Sequence, residues 1–450
     1  MNKYINLLFK KISLRKIYIT IILFSLFGYA VLVSEKKQDI FIFKAIYKIA
    51  TLPRDVKNVL ADLLGNPDRE SISPNEFSIG NEFQEIKNNT NFDLRGIKIK
   101  TGQNRLYPSK SWRILVGLFD IAGETEYAAL AISPDLTVEH VWRIKKDVIN
   151  EFVKVGGRPF LHGFRLLSDN SIIFSFDSVF ASFRIDQCGE LIWKSSANLH
   201  HAINPALDRK YVWGLVGNDI VKVDVETGKV VQTVSFNNMV TANQQYSVFG
   251  IRALDDNALG TNDHARPTIY YADPVHFNDV EPLPAEIADK FPLFEAGDLL
   301  ISSRSLNMIA VIDPETAKIK WNMIGKTKRQ HDPDWNPDGT ITVFDNRMGA
   351  DYSRIVSINP TTNEFKVLVE GEKLNFYSRI RGKHQISVDG SIIVTSAQQG
   401  RVFELNQEGG KVLEIIITAP QFENMNYVVT NAFKVPELNF SQAGANPCIN

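Results

Sequence analysis

The hydrophobic pattern changes character three times along the chain. Ile17 to Ser34 carries no charge and is mostly Ile, Leu, Phe, Tyr and Val. Such a run is about the length needed to cross a bilayer as a helix. Lys3, Lys10, Lys11, Arg15 and Lys16 precede it, and Lys36 and Lys37 follow. The heavier basic flank on the amino-terminal side predicts a terminus held inside and a remainder exported. A cleaved signal peptide is the rival reading. Its small-x-small site is missing, because the nearest match, Ala30-Val31-Leu32, ends in too large a side chain. Residues 1–35 are therefore expected to be a cytoplasmic tip and a retained transmembrane anchor. In 36–105, the stretches DIFIFKAIYKIA and DVKNVLADLLG place apolar and basic positions at helical spacing. They predict juxtamembrane helices broken near Pro53, followed by a polar stalk from residue 67.

From Trp112 onward, short runs of Val, Ile and Phe alternate with turn clusters, which is the pattern of strands. The runs repeat as units. HDPDWNPDGTITVFDN, from His331, supplies two strands around a Pro-Asp-Gly turn, and SRIVSINPTTNEFKVLVEG supplies two more. KHQISVDGSIIVTSAQQG with RVFELNQEGGKVLEIIIT follows the same plan, as do the units from His162 and from His200-His201. A unit from His276 has an insertion before GDLLISSRSLNMIAVIDPETAKIKWNMIG. Four strands per unit at this period is the mark of propeller blades. A further unit from Trp112 has three strands, WRILVGLFDI, EYAALAISP and TVEHVWRI, and the carboxy-terminal NYVVTNAFKVP is expected to supply its fourth. The expected fold is all-β: a six-bladed β-propeller over 106–450, with an N-terminal transmembrane helix and a helical stalk.

Of the eight histidines, His162, His201, His276, His331 and His384 begin their units. The first strand of a blade lies against the central channel, so these five predict an imidazole-lined pocket at one mouth. A single repeated histidine is explained well enough by duplication and a hydrogen bond to the next blade. A crowd of imidazoles is costly to bury unless it binds something. The tight His-x-x-x-His spacing of zinc enzymes is absent, and no metal site is expected. Arg304 follows ISS, Arg347 follows FDN, and Arg379, Arg381 and Lys383 precede His384. An arginine fork matches a tetrahedral oxyanion, so histidine beside arginine suits sulfate or phosphate.

Composition narrows the field further. The chain has 450 residues with a formal net charge of −1, which gives no general affinity for nucleic acid. Its two cysteines, Cys188 and Cys448, exclude a disulfide-dense scaffold and a cysteine-rich zinc module. One disulfide in an oxidising compartment and two separate thiols remain equally open.

Three segments resemble the bacterial arylsulfotransferase family: HHAI at 200–203, QHDPDWNPDGTITVFDNR at 330–347 and GKHQISVDGSIIVTSAQQGRVFEL at 382–405. HFNDVE at 276–281 is similar to that family as well. The resemblance implies an exported six-bladed propeller that moves a sulfuryl group from a phenolic sulfate ester to a phenol acceptor. No cofactor and no nucleotide donor are implied, and the reaction is ping-pong through a sulfated histidine. By motif, His331, Arg347 and His201 resemble the family's channel residues and His384 its nucleophile. His276, His162, Arg304 and Lys383 are then expected to bind substrate. Two features depart from the family: the retained anchor at 17–34, and Ala202 after the His200-His201 pair, where an acidic residue often follows. The alternative is a non-catalytic, membrane-anchored propeller that binds a ligand or assembles a complex. Neutral imidazole is a competent nucleophile toward a sulfuryl centre, independently of the resemblance. The expected location is the inner membrane, with the propeller on the extracytoplasmic side.

Overall fold

Period-two alternation decides how the blades pack. In a computed structural model of the chain, residues 71–74, 79–102, 110–153, 159–252, 273–438 and 440 are described. Six antiparallel sheets form around an axis. Blade 1 contains Trp112–Ile121, Glu124–Ile132 and Thr137–Ile144. Blade 2 runs from Phe160–Leu166 to Leu191–Ser195, and blade 3 from His200–Pro205 to Val230–Val234. Blade 4 runs from Phe277–Pro282 to Ile319–Ile324, blade 5 from His331–Trp335 to Phe365–Glu370, and blade 6 from Lys383–Ile386 to Lys411–Ile417.

Successive side chains of a strand point to opposite faces, so each blade feeds two cores. In blade 1, Ile114 and Val116 pack with Leu161, Phe174 and Phe183 of blade 2. Leu115, between them in sequence, packs with Ile393, Val402 and Ile415 of blade 6. Leu299 and Ile301 of blade 4 face Trp213 and Leu215 of blade 3, whereas Leu300 faces Trp335 and Val343 of blade 5. Asp-centred turns space the inner two strands. Asp338 and Asp389 each accept from the backbone N–H two residues on. Gly339 and Gly390 supply the left-handed conformation between them, at φ 83° and 76°.

The ring closes as the incomplete first unit requires. Val429–Val435 pairs antiparallel with the strand from Trp112, running from Val429 opposite Gly117 to Val435 opposite Trp112. It becomes the inner strand of blade 1, so the carboxy-terminal segment completes the amino-terminal blade. Buried charges fasten this seam. Arg113 of blade 1 makes a two-nitrogen contact to Glu404 of blade 6, and Lys434 Nζ lies 3.1 Å from the same carboxylate.

The described part of the expected stalk forms strands. Ile97–Thr101 extends blade 6 along Lys411–Ile417, and Lys87–Asn88 lies parallel to the outer strand of blade 1. The expected anchor at 17–34 and the juxtamembrane helices lie outside the described residues. Among the described residues, no helix is long and apolar enough to cross a membrane.

Candidate functional site: an imidazole cluster at the propeller axis

An irregularity repeated in the inner strands builds the site. The inner strand of blade 2 has an extra residue, His162, between its pairings at Leu161 and Gly163. The register also shifts between His200 and Ile203, between Phe277 and Asp279, between His331 and Asp334, and between Val429 and Asn431. Bulges of this kind re-aim a side chain. They hold His201 at φ 62° and Asp332 at 55° in the left-handed region, and His276, just before its strand, lies there too at 46°. Such residues cost about 1–3 kcal/mol each and persist where the surroundings, often a functional site, demand them. Blade 6 is the exception, because Lys383–Ile386 pairs with its neighbour in unbroken register.

Four imidazoles meet around His201. Its ring centroid lies 3.7 Å from that of His162, 5.3 Å from His276 and 6.2 Å from His331. His200 joins them from the preceding position, its Nδ1 2.7 Å from Nδ1 of His201.

Hydrogen-bond partners fix the tautomers. His200 Nε2 is 3.0 Å from the Gly217 carbonyl, which can only accept, so Nε2 carries the proton and Nδ1 the lone pair. His201 therefore donates Nδ1–H to His200 and keeps a bare Nε2. The amide nitrogen of Asn346 donates to the carbonyls of Ser378 (2.8 Å) and Arg381 (2.5 Å). Its oxygen must then face His331, which donates Nδ1–H to it over 2.7 Å. His331 Nε2 is left with a lone pair, approached by the Arg381 backbone N–H at 3.3 Å. His162 Nδ1 meets both oxygens of Asp177, at 3.0 and 2.9 Å, and His276 Nδ1 pairs with Asp273.

Burial holds His162, His200, His201 and His331 toward the neutral form. Burial, followed by the neighbouring imidazoles, pulls His201 well below its ordinary value. Burial does the same to His331, opposed by its bond to Asn346 and helped by the charge of Arg304. Burial takes His200 down to about 4. Burial would raise Asp177, but His162 and Arg381 hold it at about 2. Arg304 stands beside this cluster, its own pKa lowered by burial and by Arg329. Two nitrogens there are buried without a partner, Nε2 of His276 and Nε of Arg304. Nε of Arg304 is a donor, whereas Nε2 of His276 donates only when the ring is protonated, because Nδ1 faces Asp273.

Several of the residues picked out by sequence sit elsewhere. His384 does not join the cluster. Its strand has no bulge, so Lys383 and His384 point to opposite sides. Lys383 Nζ turns to Asp279 (3.2 Å) and Asp332 (2.7 Å), an ionic lock between blades rather than an open substrate contact. The His384 ring is fully buried against blade 5, with Nδ1 3.1 Å from Asp332 and Nε2 2.8 Å from Thr342 Oγ1. Arg347 is also carried away, with its guanidinium 4.3 Å above the Tyr352 ring. Arg381, in its stead, backs the cluster, stacked 3.3 Å over Phe160.

Among the described residues, Asp332, Asp334 and His384 bring ligand atoms within 4.8 Å of one another. The Lys383 ammonium already pairs with Asp332 there. Nearby, burial and the charge of Asp279 push Glu281 up to about 8.

Sequence reasoning missed Asp177, Asp273, His200 and Asn346. A signal for two of them was present. Asp177 and Asn346 each follow their histidine by 15 positions, at the end of the second strand of a hairpin whose first strand the histidine begins.

The fold and the site together define a six-bladed propeller with a histidine- and arginine-lined axial site. A family model described as arylsulfotransferase (ASST) matches residues 207–418, which run from blade 3 through blade 6. No curated protein matches it in sequence. Solved structures similar to it include a Bacteroides caccae protein of unknown function, at TM-score 0.47 and 11% identity, over 73% of this chain and 100% of that one. TolB from Acinetobacter baumannii gives 0.44 and 13%, over 72% and 67%, and a streptogramin B lyase gives 0.38 and 10%, over 73% and 89%.

Proposed function

We propose that the chain transfers a sulfuryl group from a phenolic sulfate ester to a phenol acceptor through a sulfated histidine, with His331 as the nucleophile. The observation that carries this is the His331 ring, held in one tautomer by Asn346, with its Nε2 lone pair met by a single 3.3 Å backbone N–H, that of Arg381, among the clustered imidazoles. A buried neutral imidazole with its lone pair presented is nucleophilic across the neutral pH range. The His384 ring lies apart from the other imidazoles, fully buried at the blade interface between Asp332 and Thr342.

His276 Nε2, once protonated, and the Arg304 guanidinium supply donors for the sulfuryl oxygens. Both nitrogens are buried without a hydrogen-bond partner among the described residues. In the first half-reaction, His331 Nε2 bonds to sulfur as the ester S–O bond breaks, and the phenolate takes a proton. In the second, the acceptor oxygen bonds to sulfur, the S–N bond breaks and His331 regains its lone pair. Such loose transfers depend on positioning and on stabilising oxygen charge.

The reading extends to location. Residues 17–34 anchor the chain, and the propeller lies on the extracytoplasmic side. Support comes from the basic flank before that run. The purified protein should release nitrophenol from nitrophenyl sulfate, faster when a phenol acceptor is added. If no aryl sulfate is cleaved with any phenol present, the binding-propeller alternative replaces this reading.

A further inference from the structure

Sulfuryl transfer between phenols needs one proton to move twice, onto the leaving oxygen and off the entering one. The four clustered rings differ in what would stabilise that proton. His201 has another imidazole on its Nδ1 and His331 an amide. Neither partner gains a charge interaction when the ring becomes cationic. His162 and His276 each have a carboxylate there. His276 lies with Arg304, whose Nε also lacks a partner, a grouping that suits sulfuryl oxygens. His162, in contrast, shares His201 as a neighbour with His331, at 3.7 and 6.2 Å between ring centroids. His162 also has the closest ring contact to His201, and Asp177 grips it with both oxygens.

We propose that His162 is the acid–base group of both half-reactions and that Asp177 is its positioning residue, an inference that rests on the sulfuryl-transfer reading above. In the first step, His162 in its imidazolium form, with Nδ1–H on Asp177, gives its Nε2 proton to the departing phenolate oxygen as the S–O electron pair moves onto it. In the second step, the bare Nε2 takes the proton of the acceptor phenol as that oxygen bonds to sulfur. One proton enters and leaves His162 per cycle, and the atoms balance without a further reactant. Burial, with the charges of Arg381 and Lys383 and the neighbouring His200 and His201 rings, disfavours the cationic form of His162, and the Asp177 carboxylate counters them. Asp177 stays ionised throughout, so its task is orientation and charge rather than proton transfer.

The test uses a series of aryl sulfates whose leaving phenols range from acidic nitrophenol to unsubstituted phenol, with one fixed acceptor. An acidic phenol departs without help, whereas a weakly acidic one needs the proton. Asp177→Asn should slow transfer from phenyl sulfate by on the order of 10²–10³. Its loss with nitrophenyl sulfate should stay within roughly tenfold, and the dependence of rate on leaving-group acidity should steepen. Asp177→Glu should restore part of the phenyl sulfate rate. An equal loss for every ester, or no loss, overturns the inference while leaving the transferase reading intact. If the wild-type protein transfers from no aryl sulfate, the reading itself fails and takes the inference with it. Should Asp177→Asn not fold, the same series on His162→Gln decides, with the same steepening expected.

Discussion

The orientation of His331 can be separated experimentally from the stability of the ring. Asn346 is completely buried and makes three hydrogen bonds: it accepts from His331 and donates to the carbonyls of Ser378 and Arg381. Asn346→Ala and Asn346→Asp both remove the two donated bonds, while the Ser378 carbonyl keeps Ser353 Oγ at 3.3 Å. At about 1 kcal/mol for each lost hydrogen bond, both variants should lose roughly 2 kcal/mol of stability. They differ at His331. The aspartate keeps an acceptor on Nδ1–H, so Nε2 keeps its lone pair. The alanine releases the ring to the other tautomer. Single-turnover release of nitrophenol should therefore fall by on the order of 10²–10⁴ in Asn346→Ala and stay within about tenfold of wild type in Asn346→Asp. Chemical denaturation of both proteins shows whether their stability losses match. Equal activity in two equally stable variants would refute the tautomer argument.

Other outcomes follow from the same geometry. Truncation before Met425 removes the inner strand of blade 1 and exposes the strand from Trp112, so cooperative thermal unfolding should be lost; an unchanged melt would refute the closure. Arg304→Lys should cut nitrophenyl sulfate turnover roughly a hundredfold, as for one lost oxyanion donor, whereas Arg347→Lys, stacked on Tyr352, should change it little; the reverse order in a rate assay would return Arg347 to the site. His200, His201 and His331 have folded pKa values below their unfolded value of about 6.5, so the unfolded chain binds more protons. Their contribution to stability is full above pH 6.5 and declines as pH falls, for His200 down to about 4; denaturation midpoints should drop across that window, and a flat profile would contradict buried neutral rings.

The propeller was legible because its causes are local and repeated. Alternating strands, Asp-Gly turns and a first unit short of one strand all stand in the sequence, and Val429–Val435 fills the gap where it was expected. The gathering of His162, His201, His276 and His331 was legible for the same reason. His384 was misread because its place depends on a bulge, and a bulge reflects how a strand pairs rather than which residues it contains. Five inner strands carry a register shift and the strand holding His384 does not, which turns its ring into the blade interface. Arg347 was misread through its turn, whose left-handed φ of 50° sends the side chain to Tyr352. Asp177 and Asn346 were within reach, since antiparallel pairing sets the end of one strand against the start of the one before it.

The central claim is that His331 carries the sulfuryl group. The direct measurement is to mix the protein with nitrophenyl sulfate and no acceptor, trap it, and locate the added mass by peptide mass spectrometry. The account predicts one sulfuryl group on the peptide containing His331, released when a phenol is supplied. A label on the peptide containing His384, or on no histidine while the ester is still cleaved, would contradict it.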